Sequence, residues 1–103
     1  MLEGTYTAIA TPFDAQDKIN LNSLERLVEY QIKNGISGLV PCGTTGESPA
    51  LSKKEKRTVI EKVIDICRDR YQVVAGTGSN NTQKTIEESL WARDTGADVA
   101  MVI

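Results

Sequence analysis

The residues best suited to chemistry lie in one short turn that contains two glycines and two adjacent threonines. The turn follows an apolar run and reads Cys42-Gly43-Thr44-Thr45-Gly46-Glu47-Ser48. Glycines let the backbone bend so that its N–H groups converge, and threonine hydroxyls both donate and accept hydrogen bonds. Such a turn can hold a carboxylate or a phosphate. From spacing alone, a Gly-rich turn that binds no ligand is an equally good interpretation.

Composition excludes several other kinds of chemistry. The 103 residues contain no histidine, which excludes a Ser-His triad, imidazole acid–base catalysis and a His-ligated metal within the chain. Cys42 and Cys67 are the only cysteines and lie far apart, so we expect no zinc cluster, no disulfide framework and a cytoplasmic location. The net charge of −2 gives no basic field for nucleic acid or an acidic membrane. No apolar run approaches the roughly 18 residues of a membrane span.

The lysines give no sign of a nucleophile. A nucleophilic lysine needs burial to lower its pKa, and all seven lysines fall in predicted loops or on polar faces of predicted helices. No pair of carboxylates is arranged for acid–base work either. From residue types alone, the chain has an anion-binding turn and no catalytic group to act on the anion.

The turn must be positioned by an alternation of strands and helices. Four short apolar runs are predicted strands: Tyr6–Thr11, Ile36–Pro41, Val73–Ala75 and Val99–Ile103. Their centres lie about 30 residues apart, the size of a βαβ unit. Continuous apolar runs are typical of parallel strands covered on both faces. The order predicts an α/β fold, either part of a (β/α)8 barrel or an open doubly wound sheet.

Capping residues and apolar periodicity predict three helices. The predicted N-caps are Asn22 with Glu25, Ser52 with Glu55, and either Asn81 or Thr82. Glycines that follow the first and third helices, Gly35 and Gly96, predict their ends. The apolar faces predicted to pack inwards are Leu24, Leu27, Val28 and Ile32; Val59, Ile60, Val63, Ile64 and Cys67; and Ile86, Leu90 and Trp91.

Three motifs in register along these units resemble the dihydrodipicolinate synthase / N-acetylneuraminate lyase family of class I pyruvate aldolases. The motifs are Thr7–Phe13, Gly43–Ser48 and Val74–Asn80, and the resemblance covers essentially the whole chain. It implies that residues 1–103 are the N-terminal part of a single (β/α)8 TIM-barrel domain, namely its first three βα units plus the fourth strand. A barrel of this kind needs about 250 residues, so we expect the chain to be a piece of a longer protein.

The resemblance also implies a reaction. The double threonine is similar to the synthase branch, in which a lyase condenses pyruvate with aspartate semialdehyde on the diaminopimelate route of lysine biosynthesis. Pyruvate forms a Schiff base with a lysine of the sixth strand, so no cofactor is needed, and the enzyme is usually a cytoplasmic homotetramer built as a dimer of dimers. Because that lysine lies beyond Ile103, the chain alone is expected to be inactive.

Individual positions take roles from the same resemblance. Thr44 matches the threonine of a proton relay with two tyrosines outside this chain, and Thr45, beside Gly43, matches the residue that binds the pyruvate carboxylate. Possible regulatory-site positions are Ser48, Pro49, Asn80 and Lys84. Sensitive members have an acid at the last of these positions to bind the ammonium of the inhibitor lysine. In this chain the position is Lys84, and the resemblance places Lys53 and Lys56 near it. These lysines should repel that cation, so we expect insensitivity to lysine.

Two kinds of alternative stay open at this point. Within the family, an N-acetylneuraminate lyase or a 2-keto-3-deoxy sugar acid aldolase would share these motifs, and the residues that choose the second substrate are not in this chain. From another class, a non-catalytic half-barrel binding module would keep the anion-binding turn without the nucleophile.

Overall fold

A computed structural model of the chain describes residues 4–43, 51–68 and 70–102. Strands and helices alternate along the described residues. In chain order they are β1 (Tyr6–Ala8), α1 (Leu21–Lys33), β2 (Gly38–Val40), α2 (Lys53–Cys67), β3 (Gln72–Gly76), α3 (Thr82–Thr95) and β4 (Val99–Met101). The predicted order of elements is therefore confirmed. Strands β1, β2 and β4 are shorter than their predicted runs, whereas β3 extends one residue beyond its predicted run at each end. Ile103 lies outside the described residues.

The four strands form one parallel sheet in the order β1-β2-β3-β4. Leu39 of β2 pairs with Thr7 of β1 on one side and with Val73 of β3 on the other. A doubly wound sheet reverses its strand order at a switch point, whereas a barrel adds each strand beside the one before. Among the described strands the order does not reverse, which is the pattern of a barrel.

The core lies between the sheet and helices α1 and α2. Leu24 and Val28 of α1, Leu39 of β2 and Val63 of α2 have no solvent-exposed surface. Leu24, Val28 and Val63 belong to the apolar faces predicted for the first two helices, which are confirmed. Burying such aliphatic side chains stabilises the fold by about 1.5–3 kcal/mol each.

The start of α1 differs from the prediction. Its N-cap is Asn20, whose side chain accepts a hydrogen bond from the Ser23 amide at 3.0 Å, so Asn22 as N-cap was wrong. The reason is tertiary, because the Asn20 amide donates to the Pro12 carbonyl at 2.9 Å and fixes where the helix begins. The capping box of Ser52 with Glu55 is confirmed, with hydrogen bonds of 2.9 and 3.1 Å.

Helix α3 is the least amphipathic element. Asn81 is its N-cap and Gly96, at φ +124°, ends it, as predicted. The apolar face was only partly right, because Ile86 and Leu90 are 48% and 46% exposed while Ala92 is buried. Trp91 is partly buried against the core, as predicted.

No helix in the described part of the chain is long and apolar enough to cross a bilayer.

Candidate active site at the carboxyl edge of the sheet

The carboxyl ends of the parallel strands lie at one edge of the sheet, where such folds place their active sites. Residues that follow three strands are buried there. Thr11 and Thr77, after β1 and β3, are each only 5% exposed. Cys42, after β2, is 2% exposed, and Gly43 is buried beside it. The described residues at this edge are therefore packed against their neighbours.

The ends of β2 and β3 are in direct backbone contact. The Gly76 amide donates to the Pro41 carbonyl at 3.0 Å. A Cβ atom at position 76 would lie 2.1 Å from the Cys42 carbonyl oxygen, so only glycine permits this approach. Cys42 itself adopts φ +59°, a left-handed conformation that turns the chain at this contact. Gly76 lies in the Val74–Asn80 motif of the family resemblance, but no signal in the sequence indicated this contact.

The end of β3 is also tied to β4 and α3. The Thr77 amide donates to the Met101 carbonyl at 3.1 Å, and the Thr77 and Ser89 hydroxyls share a hydrogen bond of 2.8 Å. The nearest atom to a Cβ placed at Gly43 is the Met101 Cε, at 3.2 Å. Sequence reasoning missed Thr77, whose buried hydroxyl orients this corner of the site.

Most of the predicted site residues lie outside the described residues. Thr44 and Thr45, the predicted relay and carboxylate-binding residues, and Ser48 and Pro49, two predicted regulatory positions, belong to this group. Their roles stay predictions. Gly43, which is described, lies at the carboxyl edge of the sheet, the edge where the predicted site belongs.

The other two predicted regulatory positions, Asn80 and Lys84, line one cavity of about 280 Å³. We call it the α2–α3 cleft, because Lys53 and Lys56 of α2 and Lys84 of α3 border it. Gly76 and Thr77 contribute to the same cleft. Lys53 and Lys56 are separated from Lys84 by about 30 residues along the chain. From the sequence, only the family resemblance could relate the lysines of α2 to that of α3.

Neither cysteine is suited to act as a nucleophile. Burial raises the pKa of the Cys42 thiol from 9.0 to about 12, against a smaller lowering effect of Lys56. The thiol donates to the Lys56 carbonyl at 3.7 Å. Burial raises the pKa of the Cys67 thiol to about 11. Both cysteines are free and buried, so they are packing residues at neutral pH.

The Cys42 thiol should make stability depend on alkaline pH. The unfolded chain loses this proton near pH 9.0 and the folded chain near pH 12, so the folded state holds the proton more tightly. The free energy of unfolding should therefore be unaffected by this thiol below pH 9 and should fall as pH rises towards 12. Urea unfolding at several pH values, compared between the parent and Cys42→Ser, isolates this contribution. Identical pH profiles for the two proteins would contradict it.

The described residues offer no evident metal site. Within residues 4–43, 51–68 and 70–102, no three Cys, Asp or Glu side chains are grouped to hold a metal ion. The shortest ion pair among the described residues joins the Arg57 guanidinium to Glu88 through two hydrogen bonds of 2.6 and 3.1 Å. This pair raises the pKa of Arg57, chiefly through the hydrogen bond. The Arg57 guanidinium also lies 4.7 Å from the Trp91 ring centroid, so its charge is already used by an ion pair and a cation–π contact.

Comparison with known proteins adds what the geometry leaves open. The model of the dihydrodipicolinate synthetase family matches residues 1–103. The chain is 48% identical over its full length to the 4-hydroxy-tetrahydrodipicolinate synthase of Methanocaldococcus jannaschii, of which it covers 35%. It is 52% identical, again over its full length, to the enzyme of that name from Methanothrix thermoacetophila, of which it covers 34%.

Comparison with a solved structure points to the same family. The chain superposes on a crystal structure of the chloride-inhibited dihydrodipicolinate synthase of Acinetobacter baumannii complexed with pyruvate, with a TM-score of 0.95 and 39% identity. The alignment covers 99% of this chain and 35% of that one. The chain therefore spans about a third of the length of its relatives and has the fold of the first three βα units and fourth strand of a (β/α)8 barrel.

Proposed function

The chain belongs to the dihydrodipicolinate synthetase family, and we propose on that basis that it is part of a lyase that condenses pyruvate with aspartate semialdehyde. This reaction would serve the diaminopimelate route of lysine biosynthesis. The observation that supports it most is the match over residues 1–103, with 48% and 52% identity to proteins named 4-hydroxy-tetrahydrodipicolinate synthase. The activity would belong to the longer protein.

The proposed chemistry uses a Schiff base and no organic cofactor. A lysine outside this chain would attack the pyruvate carbonyl carbon and release water, forming an iminium. The iminium accepts the electrons left when a methyl proton departs, and the resulting enamine attacks the aldehyde carbon. Hydroxyl groups can carry that proton because they both accept and donate, so the absence of histidine is no obstacle.

This chain would supply the pyruvate-binding side of the site. Thr45 would bind the pyruvate carboxylate, and Thr44 would pass protons to tyrosines elsewhere in the assembly. The described residues next to the two threonines support this assignment. Gly43, the residue before the two threonines, is buried at the carboxyl edge, and the contact between Gly76 and Pro41 fixes the strand end from which the turn departs. A fixed attachment point favours catalysis because small misplacements of a reacting group are costly.

The proposed assembly is a cytoplasmic homotetramer, a dimer of dimers. One relay tyrosine would come from a neighbouring subunit, so the site would be incomplete in a monomer. Light scattering on the full-length protein that carries this chain tests the stoichiometry.

Trapping of the Schiff base with borohydride tests the proposal. A full-length protein carrying this chain, treated with pyruvate and sodium borohydride, should gain the mass of one reduced pyruvate per subunit. Residues 1–103 alone should gain none, because none of their seven lysines is buried and the nucleophilic lysine is proposed to lie outside them. Intact-mass spectrometry measures both.

Borohydride without pyruvate is the control for nonspecific reduction. A full-length protein without the adduct would contradict the proposal and would favour the non-catalytic binding module. A stoichiometric adduct on residues 1–103 alone would contradict the assignment of the nucleophile to another segment. Pyruvate release from N-acetylneuraminate or from a 2-keto-3-deoxy sugar acid, without consumption of aspartate semialdehyde, would favour the family alternatives.

A further inference from the structure

The α2–α3 cleft brings together three lysines that no catalytic step uses. Lys53 and Lys56 lie in the first turns of α2, and Lys84 lies in the first turn of α3. Both helix starts are well formed, because Ser52 caps α2 and Asn81 caps α3 through side-chain hydrogen bonds. The lysine backbones are therefore fixed, and all three lysines line one cavity of about 280 Å³.

These three lysines lack counter-ions among the described residues. The structure there gives no ion pair to any of them, although Lys62 of the same helix pairs with Glu25 at 3.6 Å. Two carboxylates also line the cleft, but Glu88 is bound to Arg57 at 2.6 Å. The second, Glu87, accepts one hydrogen bond of 3.4 Å, from Gln83. The described lining thus carries more positive than negative charge.

The position of the lysines adds to that imbalance. The N-terminus of a helix carries partial positive charge, so a cation in the first turn is disfavoured there. The first turn of α2 carries Lys53 and Lys54 with a single acidic residue, Glu55, and the first turn of α3 carries no acidic residue at all. An anion in the cleft would relieve both the repulsion among the ammonium groups and the repulsion from the helix ends.

We propose that the α2–α3 cleft binds a phosphate group through Lys53, Lys56 and Lys84. Lysine binds phosphate as a point charge, and three separate ammonium groups can each donate to a different phosphate oxygen. The cleft is at the lower end of the size range of small-molecule sites, which fits inorganic phosphate or a small phosphate monoester better than a nucleotide. The proposal needs only the geometry of this cleft and does not depend on the proposed reaction.

The same charges disfavour a cationic ligand. An amino acid with an ammonium side chain would bring a fourth positive charge into the cleft. Of the two described carboxylates that line the cleft, Glu88 is already paired with Arg57, which leaves Glu87 alone to face that charge. L-Lysine should therefore fail to bind, in agreement with the insensitivity expected from Lys84.

Isothermal titration calorimetry on the full-length protein carrying this chain tests the proposal. Inorganic phosphate and glycerol phosphate are titrated separately at constant ionic strength, with L-lysine as a third titrant. We expect saturable binding of one phosphate group per chain, weakened by added salt. Binding of both phosphates would identify free phosphate as sufficient, and binding of glycerol phosphate alone would identify an ester as the ligand.

Substitutions within α2 and α3 make the test specific. Lys53→Gln, Lys56→Gln and Lys84→Gln should each weaken phosphate binding about tenfold, because each removes one charge-assisted hydrogen bond. Lys54→Gln is the matched control: it makes the same change in the same helix turn, but Lys54 does not line the cleft. It should change affinity by less than about twofold.

Three results would overturn the proposal: no saturable phosphate binding, an effect of Lys54→Gln as large as those of the cleft lysines, or saturable binding of L-lysine that phosphate competes away. Circular dichroism confirms that each variant is folded. Borohydride trapping on the same samples reports the proposed reaction separately, so failure of one proposal does not mimic failure of the other.

Discussion

Thr44→Val, in a full-length protein that carries this chain, is expected to lower the turnover number about a hundredfold and to leave the Michaelis constant for pyruvate nearly unchanged. The substitution keeps the shape of the side chain and removes its hydroxyl. Under the proposed function this hydroxyl moves protons when the iminium and enamine form, and it makes no contact needed to hold pyruvate. Steady-state rates with pyruvate and aspartate semialdehyde, each varied at saturating levels of the other, give both constants.

Thr45→Val is the matched control for this change. It removes the same group from the neighbouring residue, which is proposed to bind the carboxylate rather than to move protons. The Michaelis constant for pyruvate should rise about tenfold, since one hydrogen bond to a charged group is lost while the backbone N–H remains. Equal effects of the two substitutions, both confined to affinity, would refute the separate roles.

Gly76→Ala is expected to be among the most destabilising single substitutions in the described part of the chain. The added Cβ would lie 2.1 Å from the Cys42 carbonyl oxygen and 2.6 Å from the Cys42 carbonyl carbon. These are backbone atoms, so no side-chain rotation can relieve the clash. The ends of β2 and β3 must separate, and we expect a loss of about 3 kcal/mol in the free energy of unfolding. Urea denaturation followed by circular dichroism measures it.

Gly43→Ala tests whether the effect comes from the backbone contact. Its added Cβ would meet the Met101 Cε at 3.2 Å, and a methionine side chain can move. The cost should stay below about 1 kcal/mol, because the change adds one methyl group against a flexible neighbour. If Gly76→Ala were no more destabilising than Gly43→Ala, the close approach of β2 and β3 would not be a rigid feature of the fold.

Local patterns predicted helix ends well where the determinants are local. Ser52 and Glu55 form the capping box that their spacing predicts, since both hydrogen bonds lie within one turn. Asn22 failed as a cap because Asn20 offers the same side chain two residues earlier. The hydrogen bond from the Asn20 amide to the Pro12 carbonyl, across a loop, decides between them. A choice made by a contact across a loop cannot be read from the spacing inside the helix.

The inward face of α3 failed for a related reason. Periodicity tells which residues share a face, but it does not tell which face the neighbouring elements will cover. Ile86 and Leu90 are exposed, whereas Ala92 is buried and Ser89 bonds to Thr77. A small residue and a hydroxyl face the sheet here because the helix lies close to the end of β3.

The sequence by itself determined the order of strands and helices, the parallel α/β class and the family, because each depends on local composition and on motifs along the chain. Only the tertiary structure decided that Gly76 touches Cys42, and that Lys53, Lys56 and Lys84, which the family resemblance placed near one another, line one cavity. These groups are separated by about 30 residues in the sequence. Their proximity follows from the register between β2 and β3 and from the packing of α2 beside α3, which no single segment encodes.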